Sequence, residues 1–394
     1  MSINTLDINQ LSTVLADITA QATGKAVLTP TDTASFVSVA TTALEAGYDP
    51  LVTAISQVLS RTIFSVRPYD RKFKGIEADA IRYGNHVRKI NYVDKGFEDD
   101  DRFKLVDGYS IDPYVVNKPQ VIQTNFYGQN VFQKTVTIYR DQLDVAFSGP
   151  DEFQRFLGNL MVHTQNELEQ ARENIARYTI ANLIGGHLLL DQASATSDCV
   201  IHLITEYNTW SGQNITAATV YDPTIFPSFA KFAYGRIKTL SKLFTERTAT
   251  NHLNLTAGDI MRHTPVGDQR LFLLGAPMDQ VGTNVLSSVF NDEYMKILPY
   301  EEVMFWQAIG SPDEIDLDEC GYTKADGTVD SDEIQASGIF GVLMDREAAG
   351  YTLVNQYSLT TPMNARGSYS NIVFHESGRW FVDYTEKACI LMLD

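Results

Sequence analysis

The stretch DGTVDSDE, residues 326–333, carries alternating carboxylates, the side chains that bind calcium in EF-hand loops. Its glycine and its final glutamate do not stand at the offsets that such a loop requires. The surrounding segment, residues 312–333, contains nine acidic residues and one lysine, a net charge of −8. This composition favours a solvated surface loop, with a cation site as the alternative.

The other residue types that perform catalysis lack the spacing of a known site. The seven histidines are scattered without an HExxH pair, and the three cysteines form no CxxC pair. No GxSxG elbow, P-loop or GxGxxG motif occurs. Composition leaves a carboxylate pair for glycoside hydrolysis open, but no spacing points to one. We therefore expect no enzyme, no catalytic or metal-binding residues and no cofactor.

The bulk composition is that of a globular chain with two or three packed regions, because 44% of its 394 residues are hydrophobic and 20% are charged. The net charge of −18 opposes general binding to nucleic acid or to an anionic membrane. The N-terminal sequence lacks the pattern of a secretory signal, and the apolar runs are far shorter than the roughly 20 residues of a membrane span. We expect synthesis in the cytoplasm and no membrane partner.

Residues 150–184 predict one long amphipathic helix. Pro150 suits the first helical position, and Asp151 and Glu152 suit the positive end of the helix dipole. At 1.5 Å per residue the helix would be about 50 Å long. Gly185 and Gly186 are expected to end it, and Glu173 and Arg177 to pair on the face opposite the core. The residues expected on the core face include Phe153, Phe156, Leu157, Leu160, Leu168 and Ile175.

An extended hairpin is predicted ahead of this helix. Residues 86–93 and 131–139 alternate in polarity and are rich in β-branched and aromatic residues, as half-buried strands are. Residues 67–89 carry a net charge of +4 and residues 94–112 a net charge of −4. An isolated two-stranded ribbon is marginally stable, so something else must cover it. The opposite charges are those of a solvated surface or, alternatively, they suit docking between identical copies.

We assign that docking to charged residues of the predicted hairpin, and we expect that reversing Arg71, Lys72, Arg88 and Lys89 together blocks assembly while leaving the chain soluble. The assigned contact residues are Arg67, Arg71, Lys72, Lys74, Arg82, Arg88, Lys89, Glu98, Asp99, Asp100 and Asp101.

The flanking regions predict further helices and strands, which make the fold class α+β. Residues 1–65 predict short helices with thin apolar stripes, more typical of an arm laid on something else than of a unit with its own core. Residues 228–247 predict a helix with one basic face, which is a solvated face or, alternatively, a nucleic-acid or calmodulin contact. The remaining predictions are a helix at 278–290 and strands at 270–274, 338–344, 368–374, 379–384 and 387–393.

This order of parts resembles the major capsid protein of tailed phages, which has the Hong Kong 97 fold, and most of all those of short-tailed phages. The resemblance is strongest in residues 124–160, 270–290 and 338–353. It implies a chain divided into an N-terminal arm (1–65), an extended loop (66–140), a peripheral domain (141–250) with spine helix 150–184, an axial domain (251–360) with acidic insertion 312–333, and strands returning to the peripheral domain (361–394).

The resemblance also implies a function. We expect a major capsid protein of the virion, made in the host bacterial cytoplasm, which self-assembles into hexamers and pentamers of an icosahedral head. The implied partners are a portal, a separate scaffolding protein and packaged double-stranded DNA without sequence-specific contact. Two alternatives are open: an encapsulin-like compartment shell, and an unrelated soluble enzyme or carbohydrate-binding protein with a concave pocket.

Overall fold

The computed structural model describes residues 8–59, 69–78, 86–93, 120–193, 198–255, 260–277 and 299–394, together with single residues between 100 and 118. The predicted helix at 278–290 lies outside these residues. So do five of the assigned contact residues, namely Arg67, Arg82, Glu98, Asp99 and Asp101. Within the described ranges, no helix has both the length and the hydropathy needed to cross a bilayer.

Three N-terminal helices pack against one another and against the rest of the chain. They are α1 (Ile8–Thr23), α2 (Thr33–Glu45) and α3 (Tyr48–Leu59). Their thin apolar stripes meet in one buried cluster, which also contains Ile138, Leu143, Phe147, Phe153 and Ile372. The three helices therefore share their core with later parts of the chain, and their role as an N-terminal arm stays a prediction.

The predicted hairpin exists, but with a different return strand. Strand β1 (Val87–Val93) pairs antiparallel with β2 (Gln120–Phe126), and we call this pair the ribbon. Strand β3 (Gln129–Tyr139) leaves the ribbon and joins a three-stranded sheet with β11 (Tyr369–Val382) and β10 (Ala349–Thr360). The change of sheet occurs at Gly128, where a Cβ atom would lie 2.8 Å from Cδ2 of Trp380. The pairing of 86–93 with 131–139 is thus wrong.

A short helix α4 (Arg140–Ala146) leads into the spine helix α5 (Pro150–Gln192), which has 43 residues and a length of about 65 Å. Its start at Pro150 is as predicted, but it continues eight residues past the predicted end at 184. Gly185 and Gly186 do not end it. They lie inside the helix where neighbouring chain approaches closely, and a Cβ on Gly185 would lie 2.9 Å from Sγ of Cys320.

A five-stranded sheet covers the second half of α5. Its strand order is β4 (Val200–His202), β12 (Ala388–Met392), β9 (Ile339–Asp345), β5 (Gln269–Leu274), β6 (Tyr300–Val303). One face, with Val342 and Ile390, packs on α5, while the other packs on α6 (Leu203–Ser211) and α7 (Phe226–Thr245). The lysines of α7 are exposed on its outer face, and Arg236 pairs with Glu206 of α6.

The acidic insertion forms a β-hairpin, contrary to the expected loop. Its strands are β7 (Ile315–Thr323) and β8 (Val329–Ala336). Alternate apolar side chains, among them Ile315, Leu317 and Ile334, are buried in the core that includes α5, so the segment folds as a half-buried strand pair in spite of its charge. The expected divisions at 250/251 and 360/361 do not follow the sheets, because β10 pairs with β11 and β12 lies in the five-stranded sheet.

Candidate assembly surface

The root of the ribbon is fastened to the body by a cluster of buried charges around Lys89. Its Nζ lies 2.5 Å from Oε1 of Glu386, 3.0 Å from Oδ2 of Asp383 and 3.3 Å from Oε2 of Glu347. Arg262 joins the cluster, with Nη2 3.0 Å from the same Glu386 oxygen. Burial disfavours the charge on Lys89, but the two nearest carboxylates outweigh it and raise the pKa of Lys89.

The segment 69–78 is fastened to α5 in the same way. Arg71 is buried, with Nε 3.0 Å from Oε2 of Glu169, and it also contacts Glu77. The Tyr69 hydroxyl donates to Oε2 of Glu173 at 2.7 Å, and burial together with that carboxylate raises the pKa of Tyr69 to about 12. Glu173 also pairs with Arg177 at 2.6 Å. This last pair is buried, and its expected place on a solvent face is wrong, because residues 69–73 cover it.

The assigned contact residues therefore divide into two groups. Arg71 and Lys89 are held by carboxylates of their own chain. We expect reversal of their charges to destabilise the fold, so the solubility of the fourfold variant stays a prediction that these ion pairs oppose. Lys72, Lys74 and Arg88 are exposed, and so is Asp100, which pairs with Arg102.

The core-face residues of the spine helix lie mostly where predicted. Phe153 and Leu168 are buried, while Phe156, Leu160 and Ile175 are half-buried. The side chain of Leu157 lies outside the described residues. From Thr179 to Leu188 every residue is buried, because the five-stranded sheet and the β7–β8 hairpin enclose this half of the helix.

One face of the ribbon exposes three large apolar side chains beside the polar Arg88, Gln123 and Asn125. Ile90 is 53% exposed, Tyr92 70% and Val121 48%, and the register places Tyr92 directly opposite Val121. The other face carries Lys89 and Asn91 toward the body. The charges of the segment do not predict these exposed apolar side chains. The signal in the sequence is the alternation of β1, because the apolar Ile90 and Tyr92 are two residues apart and therefore lie on the same, exposed side of the strand.

Among the described residues, no group of three or more His, Cys, Asp or Glu could hold a metal ion. The buried histidines serve the core. His187 stands edge-on to Tyr384 with ring centroids 5.2 Å apart, and His252 contacts two backbone carbonyls.

Comparison with known proteins identifies the fold and the family. A chain in the capsid structure of Staphylococcus phage Andhra has a TM-score of 0.54 and 8% identity, with 84% of this chain and 87% of that chain covered. A chain in the structure of head fiber and inner core protein gp22 of native bacteriophage P68 has a TM-score of 0.51, with the same identity and coverage. Curated protein sequences gave no match.

The profile of the family described as Phi29-like phage major capsid protein matches residues 13–392. The mixed helix-and-sheet architecture agrees with the Hong Kong 97-like fold of phage capsid proteins. The chain belongs to the Phi29-like phage major capsid protein family and is a major capsid protein of a phage head, where it assembles with copies of itself in the virion.

Proposed function

We propose that the chain forms the hexamers and pentamers of an icosahedral head around double-stranded DNA, and that the ribbon lies on the adjacent copy. The observation that carries this proposal is the exposure of the apolar side chains of Ile90, Tyr92 and Val121 on one face of the ribbon. Water disfavours such exposure, and a ribbon of two strands has no further strand to support it. Repeated contacts between identical chains provide the cover and close into rings.

The charged residues of the extended loop add orientation to this contact. Lys72, Lys74 and Arg88 are exposed on the basic side, and Asp100 on the acidic side. Complementary charge steers association and sets the register more than it adds affinity. We also propose as contact residues Arg67, Arg82, Glu98, Asp99 and Asp101. Arg71 and Lys89 instead anchor the loop to its own chain.

We further propose a portal and a scaffolding protein as partners, packaged DNA without sequence-specific contact, and synthesis in the host bacterial cytoplasm. The net charge of −18 supports a wall to which DNA does not adhere, because like charges repel. The capsid family supports a genome container over an enzyme-filled compartment, and a structural role over catalysis.

The test replaces the apolar face of the ribbon. The double variant Ile90→Asp/Tyr92→Asp should fold, since both side chains are exposed, but should yield no particles in negative-stain electron microscopy and sedimentation. The matched variant Ile90→Val/Tyr92→Phe keeps the face apolar and should assemble as the unaltered chain does. Circular dichroism checks the fold of both. Particles of normal yield and shape from the aspartate variant would refute the docking role.

A further inference from the structure

A cation-rich cleft lies at the root of the ribbon. It is open, has a volume of about 560 Å³, and is bounded by the segment 69–78, the ribbon, β5 and the turn between β9 and β10. Four basic side chains and two carboxylates line it. They are Arg88, Lys89, Arg270 and Arg346, with Glu77 and Glu347. A basic concavity is unexpected on a chain with a net charge of −18.

Among the described residues, carboxylates compensate the charge of Lys89 in the cleft but not the charges of Arg88 and Arg270. Glu77 is bound to Arg71, and Glu347 to Lys89. Arg270 is fixed by backbone carbonyls, with Nη1 2.9 Å from both Gly267 O and Gln269 O. Within the described chain no carboxylate forms an ion pair with Arg88 or Arg270, and Arg346 reaches only the half-exposed Asp268 at 3.5 Å. A guanidinium group that is held in place and has no carboxylate partner is suited to bind carboxylate or phosphate oxygens.

A matching surplus of carboxylates stands on the β7–β8 hairpin. The strand register shifts between Leu317 and Cys320, and this bulge places Asp318 and Glu319 side by side across from the Glu333 region. All three carboxylates are exposed, whereas the opposite face of the hairpin is buried, so the body presents them rigidly. Like charges on opposed strands repel. None of the three forms an ion pair with a described cation, and no metal-binding group is present there among the described residues.

We propose that the bulge carboxylates Asp318, Glu319 and Glu333 of one copy dock into the basic cleft of a neighbouring copy. The hairpin of the same chain does not line its own cleft, so the pairing is between chains. An arginine guanidinium can bind a carboxylate through two parallel hydrogen bonds. The contact would also compensate the repulsion among the three carboxylates at the bulge. The proposal rests on the self-assembly of this family and adds a second contact, separate from the apolar face of the ribbon.

A charge swap tests the pairing. The cleft variant is Arg346→Glu, because Arg88 also belongs to the proposed ribbon contact, and the bulge variant is Asp318→Lys/Glu333→Lys. All three side chains are exposed, and thermal unfolding checks the fold. Each variant alone should lower the particle yield by about tenfold or more, because like charges then face each other at every copy of the contact. A mixture of the two, or the combined variant, should restore particles. Full yield from the cleft variant alone, or no rescue by the swap, overturns the proposal.

The rescue separates this contact from the ribbon contact, because lysines on the bulge cannot restore a lost apolar face. In parallel, the binding of inorganic polyphosphate and of short duplex DNA to the unaltered chain and to the cleft variant is measured. If the cleft variant assembles normally but loses that binding, the cleft is a nucleic-acid site and the proposal is wrong.

Cross-linking gives a second readout that needs no loss of assembly. The native cysteines Cys199, Cys320 and Cys389 are buried, so new surface cysteines react selectively. Particles of Arg346→Cys/Glu333→Cys treated with a short bismaleimide should give a ladder of linked chains, whatever the geometry of the shell. The control Arg346→Cys/Glu246→Cys, with an exposed acid at the end of α7, should not. Intact particles without the ladder contradict the pairing.

Discussion

Gly186 of the spine helix and Tyr384, which follows β11, touch so closely that a methyl group on Gly186 would overlap the tyrosine hydroxyl. The hydroxyl cannot retreat, because it lies 2.9 Å from the carbonyl oxygens of both Asn182 and Gly321. One tyrosine thereby joins the helix, the acidic hairpin and the end of the three-stranded sheet.

Gly186→Ala should therefore destabilise the chain, although alanine is the better helix former. We expect a loss of about 1–3 kcal/mol from overpacking. Gly158→Ala in the same helix is the control, because no atom lies within 4 Å of its Cβ position, and it should gain up to about 1 kcal/mol. Urea unfolding of the unassembled chains measures both, and equal effects would argue against the tyrosine contact.

Two arginines on α5 differ in burial and should differ in their effect. Arg172 binds the buried carboxylate of Glu376 through Nε and Nη2, each at 2.6 Å, and although desolvation opposes its charge these carboxylate contacts raise the pKa of Arg172. Arg172→Ala leaves Glu376 buried and uncompensated, which costs about 3–5 kcal/mol. Arg155→Ala breaks an exposed pair with Glu152 and should cost less than about 1 kcal/mol. Similar unfolding midpoints for the two variants would contradict this account.

His187 should make the stability depend on pH. Burial, with a smaller contribution from His252, lowers the pKa of His187 from 6.5 to about 4. The unfolded chain takes up this proton at a higher pH than the folded chain does. Stability from this residue is therefore complete above pH 6.5, falls by about 3 kcal/mol as the pH drops toward 4, and falls no further below that.

His187→Leu should remove this slope, because leucine has no proton to take up. It should also stabilise the chain at neutral pH, since neither ring nitrogen of His187 has a hydrogen-bond partner among the described residues. Denaturant unfolding at pH 7.5 and pH 5 compares the variants, with exposed His263→Leu as the control. An unchanged slope in His187→Leu would assign the pH dependence to other groups.

Lys89 should control how firmly the ribbon is held. In Lys89→Met the carboxylate of Glu386 keeps only Arg262, and Asp383 loses the cation with which it pairs, so we expect a loss of about 3 kcal/mol. The remaining ties are few, chiefly Asn91 to Arg262 and the ring of Phe126 beside Phe381. Hydrogen exchange should accelerate in residues 87–93 and 120–126. Lys74→Met, which breaks the exposed pair with Asp70, should leave that exchange unchanged.

Local patterns predicted the elements that local chemistry determines. The start of α5 at Pro150 was confirmed, as were the strands β5, β9 and β12, because capping preferences and apolar runs act within a few residues. The predicted end of α5 was wrong. Gly186 lies inside the helix because it is in close contact with Tyr384, which is far along the chain. In a sequence, a glycine pair that ends a helix cannot be distinguished from one that lets a neighbouring segment approach the helix closely.

Pairing between distant strands and between distant charges could not be predicted from the sequence for the same reason. Residues 131–139 alternate in polarity, whereas 120–126 do not, yet it is 120–126 that pair with β1, while 129–139 pair with β11. The charges of Arg71 and Lys89 were visible, but their partners Glu169 and Glu386 lie about a hundred or more residues away in the sequence. Charge runs indicate that ion pairs form, without indicating which chain supplies the partner.

The position of β12 inside the five-stranded sheet, between β4 and β9, has a consequence for synthesis. Residues 388–392 must leave the ribosome before the sheet can close, although its first strand emerges some two hundred residues earlier. Until then the slot between β4 and β9 stays open, and polypeptides interrupted by premature termination cannot fill it. We expect chains that lack residues 388–392 to leave the five-stranded sheet incomplete and to be absent from particles.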